Sequence, residues 1–291
     1  MKNLITIFTP TYNRAGLLPR LYDSLKRQTR KDFEWLIVDD GSSDGTEKLI
    51  RKWKEDGIID MRYIYKENGG KMRAHNVGVK ECHTELFMCL DSDDFLNDRC
   101  IESIYVNWKS HRNNPKVSAM VAYRDMIGRN PSHFPNCKYA TFQQINNVYN
   151  GETALAFRTS VLKSNLFPEI EGEKFIGEGV VYDKLDSIYI MAVVPEYWIE
   201  CEYQEGGLTA SALRLLINNP KGWALNAKTK YVYRAKTIKD KIKYTSTYIC
   251  ASLFARRSLY TTIKEFPNKG ICMLLIPMGI VQKIKNEQRC K

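Results

Sequence analysis

The stretch Phe33-Glu34-Trp35-Leu36-Ile37-Val38-Asp39-Asp40-Gly41-Ser42-Ser43-Asp44-Gly45-Thr46 passes from an apolar, β-rich run into a loop of carboxylates, serines and glycines. The run has the length of a buried strand, and the cluster that follows has the chemistry of a turn and a helix cap. Leu49, Ile50 and Trp53 then recur at helical spacing, so the unit reads strand, loop, helix. The same unit repeats on both sides. Residues 4–8 form a short β-rich run followed by Leu17, Leu18, Leu21 and Leu25 at helical spacing; residues 61–65 lead into a helix over 74–79, and residues 86–90 form a fourth strand. This alternation predicts βαβ units, and hence an α/β fold with a mostly parallel sheet flanked by helices.

In such a sheet the ligand crevice lies beyond the carboxyl ends of the strands. The loops there are Thr9-Pro10-Thr11-Tyr12-Asn13-Arg14, Asp39 to Gly45, Glu67-Asn68-Gly69-Gly70-Lys71 and Asp91-Ser92-Asp93-Asp94. Any one of them suits a solvated turn; four together, each after an apolar strand, point to a site. The last is the sharpest, because three carboxylates in four residues repel one another unless a cation or hydrogen-bond donors neutralise them. A hard divalent ion fits, since Mg²⁺ or Mn²⁺ takes one or two carboxylates and completes its shell with substrate phosphates and water.

The order of these motifs, with Ala74-His75-Asn76-Val77-Gly78 after Asn68-Gly69-Gly70 and Leu90 before the Asp91 cluster, resembles the family 2 glycosyltransferases. The likeness is close over residues 2–98 and weaker on to Gly206-Gly207-Leu208-Thr209. It implies the Rossmann-like GT-A fold, with a catalytic domain over 1–211 (nucleotide-binding half 1–98, acceptor-binding half 99–211) and a basic, mainly helical extension over 212–291. It further implies a metal-dependent, inverting transfer of a sugar from a nucleoside-diphosphate sugar, with UDP the expected nucleotide. The acceptor is expected to be a hydroxyl of a saccharide or lipid-linked saccharide in surface-polysaccharide or glycolipid synthesis.

Residue by residue, the resemblance places Thr9, Tyr12 and Arg14 along the nucleotide pocket and makes Asp40, with Asp39 beside it, the carboxylate that meets the base. Lys71, Arg73 and Asn76 fall where the family contacts base, ribose or phosphate. Asp91 and Asp93 look like the D-x-D that reaches the ribose and holds Mn²⁺ or Mg²⁺, with Ser92 between them counted among the nucleotide-binding residues and Asp94 sharing the metal. Many relatives supply the general base from a Glu-Asp pair; here the pair reads Glu178-Gly179, so Glu178 is the candidate, with Asp183 and Asp186 as alternatives. The missing Asp also leaves open a sugar-nucleotide-binding module without turnover. Tyr203 to Thr209 stands where relatives have a loop that closes over the diphosphate.

Charge and composition narrow the remaining classes. At 44% hydrophobic and 26% charged residues the chain is neither disordered nor a disulfide scaffold. The net charge of +11 is lopsided: residues 212–291 carry 17 Lys and Arg against Asp240, Glu265 and Glu287, a balance of +14, leaving −3 for residues 1–211. The cations therefore lie mainly outside the convergent loops, and with no nucleic-acid-binding signature an RNA- or DNA-binding role is disfavoured. A basic segment with helically spaced apolar residues suits an anionic inner leaflet, so peripheral attachment to the cell membrane is expected; a helical cover for the core would look alike. The apolar run 271–281 falls short of the ~20 residues of a spanning helix, and the N-terminus lacks a signal-peptide pattern, which predicts a cytoplasmic protein. Eight cysteines without a C-x-x-C pair read as free thiols, and four scattered histidines exclude a zinc motif. No G-x-S-x-G, Walker or G-x-G-x-x-G loop follows a strand, which removes the hydrolase, P-loop and dinucleotide classes.

Overall fold

The computed structural model describes residues 3–126, 132–201 and 212–290. From the N-terminus the elements are β1 (Ile5–Thr11), α1 (Leu18–Arg27), β2 (Phe33–Asp39), α2 (Thr46–Asp56), β3 (Met61–Tyr65), α3 (Lys71–Glu81) and β4 (Leu86–Cys89). The chain continues through β5 (Phe95–Leu96), α4 (Cys100–Trp108), β6 (Val117–Met126), β7 (Tyr139–Ala140), α5 (Phe142–Asn146), β8 (Glu152–Arg158), α6 (Thr159–Lys163), α7 (Gly179–Asp186) and β9 (Ile190–Cys201). It closes with α8 (Ala212–Asn218), α9 (Pro220–Tyr233), α10 (Ile238–Phe254), α11 (Leu259–Glu265), α12 (Lys269–Leu274) and α13 (Ile276–Arg289).

These elements form two compact units: Met1–Leu166 with Ile188–Gln204, and Phe167–Ser187 with Glu205–Lys291. The first holds the sheet, in the order β3-β2-β1-β4-β8-β6-β9-β5, with β7 on β9. β3, β2, β1 and β4 run parallel, β8 is antiparallel to β4 and β6, and β6 and β9 are parallel. β1 and β2 are buried almost throughout, which is why they read as continuous apolar runs and not as alternating ones. The aromatic end of the core is a stack in which Tyr22 of α1 lies 4.2 Å from Trp53 of α2, with Trp35 of β2 beside them. Strand order reverses between β1 and β4, since β2 and β3 lie to one side of β1 and β4 to the other. That is a topological switch point, and the loops after β1 and β4 open onto it.

The second unit has its own core, built on Trp223, Ala227, Tyr248, Ile249 and Phe266. The helical character expected for residues 212–291 is present, but residues 167–187 join these helices instead of staying with the sheet. The reason is polar as well as apolar: the buried Glu173 accepts from the backbone N–H groups of Lys221 and Gly222 at 2.7 Å each, capping the start of α9. Asn219 returns the contact, its Oδ1 accepting from the N–H groups of Lys174 and Phe175. Pro277, which argues against one continuous helix over 271–281, stands in the first turn of α13, just past the break at Leu275, where its missing N–H has no partner to lose.

Candidate functional site

The loop after β2 is organised by two buried carboxylates. Asp39 Oδ1 accepts from the Ser42 N–H at 2.8 Å and Oδ2 from the Tyr63 hydroxyl at 2.8 Å. Burial, followed by the bond to Asp39, pushes the Tyr63 phenol far above its usual range, so it stays a donor. Asp40 turns to the loop after β3: Oδ1 accepts from Lys66 Nζ at 2.5 Å and the Gly69 N–H at 2.9 Å, Oδ2 from the Gly70 N–H at 2.7 Å and Asn68 Nδ2 at 3.2 Å. A carboxylate offers about four acceptor sites, and the protein already uses all four. Gly41 between them adopts φ +89°, and a Cβ there would lie 2.8 Å from the Asn68 backbone nitrogen.

The loop after β1 clasps the same turn from the other side. Asn13, at φ 52°, donates its N–H to Ser42 Oγ and accepts from the Ser43 N–H, both at 2.8 Å. Tyr12 and Arg14 project into solvent on either side of it. Thr9 departs from its expected place: it is fully buried, and its hydroxyl accepts the Trp35 indole N–H at 3.0 Å, so its side chain packs the core and does not line a pocket.

Seven of the expected residues sit on α3 or after β4. Lys71 opens α3, and its ammonium reaches Asp91 Oδ1 at 2.7 Å and Oδ2 at 3.0 Å. Arg73 donates to the Gly69 carbonyl at 3.2 Å, and Asn76 is buried one turn on. Asp91 and Asp93 are half-buried, whereas Ser92 and Asp94 are buried. Burial alone raises the Asp91 carboxyl, but Lys71 and Arg124 outweigh it and hold Asp91 below the usual carboxylate range. For Asp94 burial wins over the pull of Arg124, and with Asp91 and Asp93 adding repulsion it is pushed up to about 7.

Arg124, at the end of β6, is the residue that motif reading misses. Its guanidinium lies 2.7 Å from Asp94, 4.0 Å from Asp91 and 3.2 Å from Glu152 of β8. Only the register of β6 on β8, which sets Arg124 opposite Glu152, brings it there; the one signal in the sequence is a cation closing the apolar run from Val117 to Tyr123. Among the described residues no three His, Cys, Asp or Glu side chains converge as a metal cage. Asp91 and Asp93 nevertheless fit a hard divalent ion of the kind that needs one or two carboxylates and takes its other ligands from phosphates and water.

In the second unit Glu178 is exposed at the start of α7, its carbonyl accepting from the N–H groups of Val181 and Tyr182. Asp183 is buried, with Oδ1 3.6 Å from Arg234; burial pushes its carboxyl up, against Arg234 and Lys230. Its Oδ2 and Asn226 Oδ1 are buried without a hydrogen-bond partner. A Cβ at Gly179 would stand 2.9 Å from the first and 3.0 Å from the second. The absence of an Asp at 179 thus has a local reason, since the carboxylate of Asp183 fills the space such a side chain would need. Asp186 is half-buried at the end of α7. The expected closing loop, Tyr203 to Thr209, lies outside the described residues.

The sequence profile of the family described as Glycosyl transferase family 2 matches residues 6–170. Among curated relatives, the poly(ribitol-phosphate) beta-N-acetylglucosaminyltransferase TarP of Staphylococcus aureus is 34% identical over 117 residues, 39% of this chain and 35% of that protein. The teichoic acid poly(glycerol phosphate) polymerase of Staphylococcus epidermidis is 37% identical over 95 residues, 32% of this chain and 13% of that one. The chain thus spans about a third or less of the length of these relatives. Among solved structures, Staphylococcus aureus TarS 1–349 in complex with UDP-GlcNAc superposes with a TM-score of 0.64 at 18% identity, over 97% of this chain and 89% of that one. The mannosyltransferase PcManGT of Pyrobaculum calidifontis, in complex with GDP-Man and Mn²⁺, gives 0.58 at 18% identity over 99% and 83%. At these identities the superpositions establish the GT-A fold.

Proposed function

The chain belongs to glycosyl transferase family 2, and from that premise we propose that it transfers a sugar from a nucleoside-diphosphate sugar, UDP-linked by preference, to an acceptor hydroxyl with inversion. The observation that carries this reading is the set of side chains on the loops after β2, β3 and β4: Asp39 and Asp40 in one rigid turn, and Asp91 held between the cations of Lys71 and Arg124. A pocket for a nucleoside diphosphate needs acceptors for the base and ribose and cations for the phosphates, and these residues supply both. In this reading Asp40 meets the base by exchanging one of its present donors, the side-chain ammonium of Lys66. Lys71 and Arg73 hold the diphosphate, and Asp91 reaches the ribose.

Asp91 and Asp93 would hold the divalent ion, with Asp94 beside them; when bound it would stabilise the charge that develops on the leaving diphosphate. Glu178 takes the proton of the acceptor hydroxyl as that oxygen attacks the anomeric carbon and the bond to the diphosphate breaks, a single displacement that inverts the centre. The acceptor class is a saccharide or lipid-linked saccharide of a surface polymer, a reading supported by what the similar proteins are named for. Calorimetry with UDP-, GDP- and dTDP-sugars, with and without Mn²⁺, tests the donor, and Glu178→Gln tests the base. Transfer should fall by ~10²–10⁴ with donor binding intact. Full activity in Glu178→Gln combined with its loss in Asp183→Asn moves the base to Asp183, the reading that the unpartnered Asp183 Oδ2 beside Gly179 favours. Donor binding without turnover of any acceptor supports the binding-module alternative.

A further inference from the structure

Helix α13 packs on its own unit through small and polar residues and leaves its apolar side outward. Toward α10 it turns Gly279, Gln282 and Asn286, at spacings of three and four residues. A Cβ at Gly279 would lie 2.4 Å from Ile249 Cγ2, Gln282 donates to Thr247, and Asn286 Nδ2 donates to Cys250 Sγ. On the opposite side Pro277, Val281 and Ile284 follow the same spacing, with Met278 next to them. Met278, Val281 and Ile284 are 49%, 50% and 49% exposed, and Leu274 at the end of α12 is 77% exposed. A helix packed on a core normally turns charge to water on its far side; here that side is apolar over two turns.

One exposed cation lies on this surface, and two more stand exposed at the ends of its helices. Lys269 begins α12, Lys285 lies on the outer side of α13 one turn after Val281, and Arg289 closes the helix. The one acid in residues 269–290 is Glu287, and Lys283 pairs with it. We propose that the outer side of α12 and α13 docks on an anionic lipid surface, Leu274, Met278, Val281 and Ile284 entering the headgroup boundary and Lys269, Lys285 and Arg289 meeting lipid phosphates.

Charge selects the occupant. A second copy of this chain would bring a segment of balance +14 against its equal, whereas an anionic leaflet attracts it. Among the described residues no helix is long and apolar enough to cross a membrane, so the attachment lies in the plane of the interface. It is independent of the transfer reaction, and nucleotide binding serves as its control.

Flotation of the full chain with vesicles tests it. The chain should rise with equimolar phosphatidylglycerol and phosphatidylcholine, stay behind with phosphatidylcholine alone, and be released as salt goes from about 0.1 M to about 1 M, where the screening length shrinks from ~10 Å to ~3 Å. Leu274→Gln with Val281→Gln changes exposed side chains only and should leave melting and nucleoside-diphosphate affinity unchanged while lowering vesicle partitioning ~tenfold or more. Lys285→Glu should weaken binding to the anionic vesicles alone. Three results overturn the proposal: no flotation at low salt, equal flotation of the glutamine variant, which would leave only diffuse charge, or a concentration-dependent dimer that the glutamine substitutions dissolve.

Discussion

In the proposed reading two ways of neutralising the Asp91 carboxylate compete, the lysine already in contact and a divalent ion that the diphosphate would bring. Lys71→Gln removes the first, so Mn²⁺ alone should bind more tightly, while the nucleoside diphosphate loses a charge-assisted bond and binds ~10- to 100-fold more weakly. Calorimetry of each ligand separately reads the two opposite signs. Asp93→Asn should abolish the Mn²⁺ dependence of nucleotide binding with melting unchanged, because Asp93 is half-exposed and packs no core. His75 carries a different consequence. It is buried edge-on to Phe8 and Phe87, and burial, followed by the charge of Lys71, lowers its pKa to about 3. The unfolded chain takes up that proton near pH 6.5 and the folded one does not, so stability falls as pH drops from about 6.5 toward 3. The slope approaches ~1.4 kcal/mol per pH unit from this group. Urea midpoints between pH 4.5 and 7 should flatten by that amount in His75→Leu.

The element at which the site is most brittle is the turn after β2. Its shape depends on Gly41 at φ +89° against the Asn68 backbone, and on Asp40 taking two consecutive N–H groups from Gly69 and Gly70. Gly41→Ala forces a left-handed L-residue into a contact of 2.8 Å and should cost about 1–3 kcal/mol, read by thermal melting. The Asp40 cradle opens at the same time, so nucleoside-diphosphate affinity should fall with stability. Asp40→Ala would fall by the same route, since its donors hold the loop together; loss of binding in that variant therefore counts as evidence for a base contact only if melting is preserved.

At the scale of the whole molecule the second unit is discontinuous in sequence, and Glu173 with Asn219 is the seam. A chain ending at Gln204 would leave Phe167–Ser187 without α9, stranding a buried carboxylate and its apolar neighbours. Limited proteolysis of that truncated chain should cut first within 167–187, while the β-strands of the first unit keep their hydrogen-exchange protection; protection of 167–187 would show that the segment needs no helices to hold it.

The parallel strands and the polar loops after them were legible because each repeats a local rule: an apolar run of strand length, a turn of Asp, Ser and Gly, then helical spacing. The Asp91 cluster declared itself the same way, by charge density that contiguous residues cannot sustain unaided. Sequence by itself therefore determined the α/β class, the edge of the sheet at which the polar loops gather, and the concentration of positive charge beyond residue 211. Tertiary structure decided what sequence neighbours do not encode. It turned Thr9 inward to Trp35, brought Arg124 to Asp91 and Asp94 through the β6–β8 register, and bound residues 167–187 to helices that begin beyond residue 211. It also selected which side of α13 faces α10. The physical reason is common to all four: each depends on contacts between residues far apart in the chain, and these arise only when strands take their register and helices their packing face.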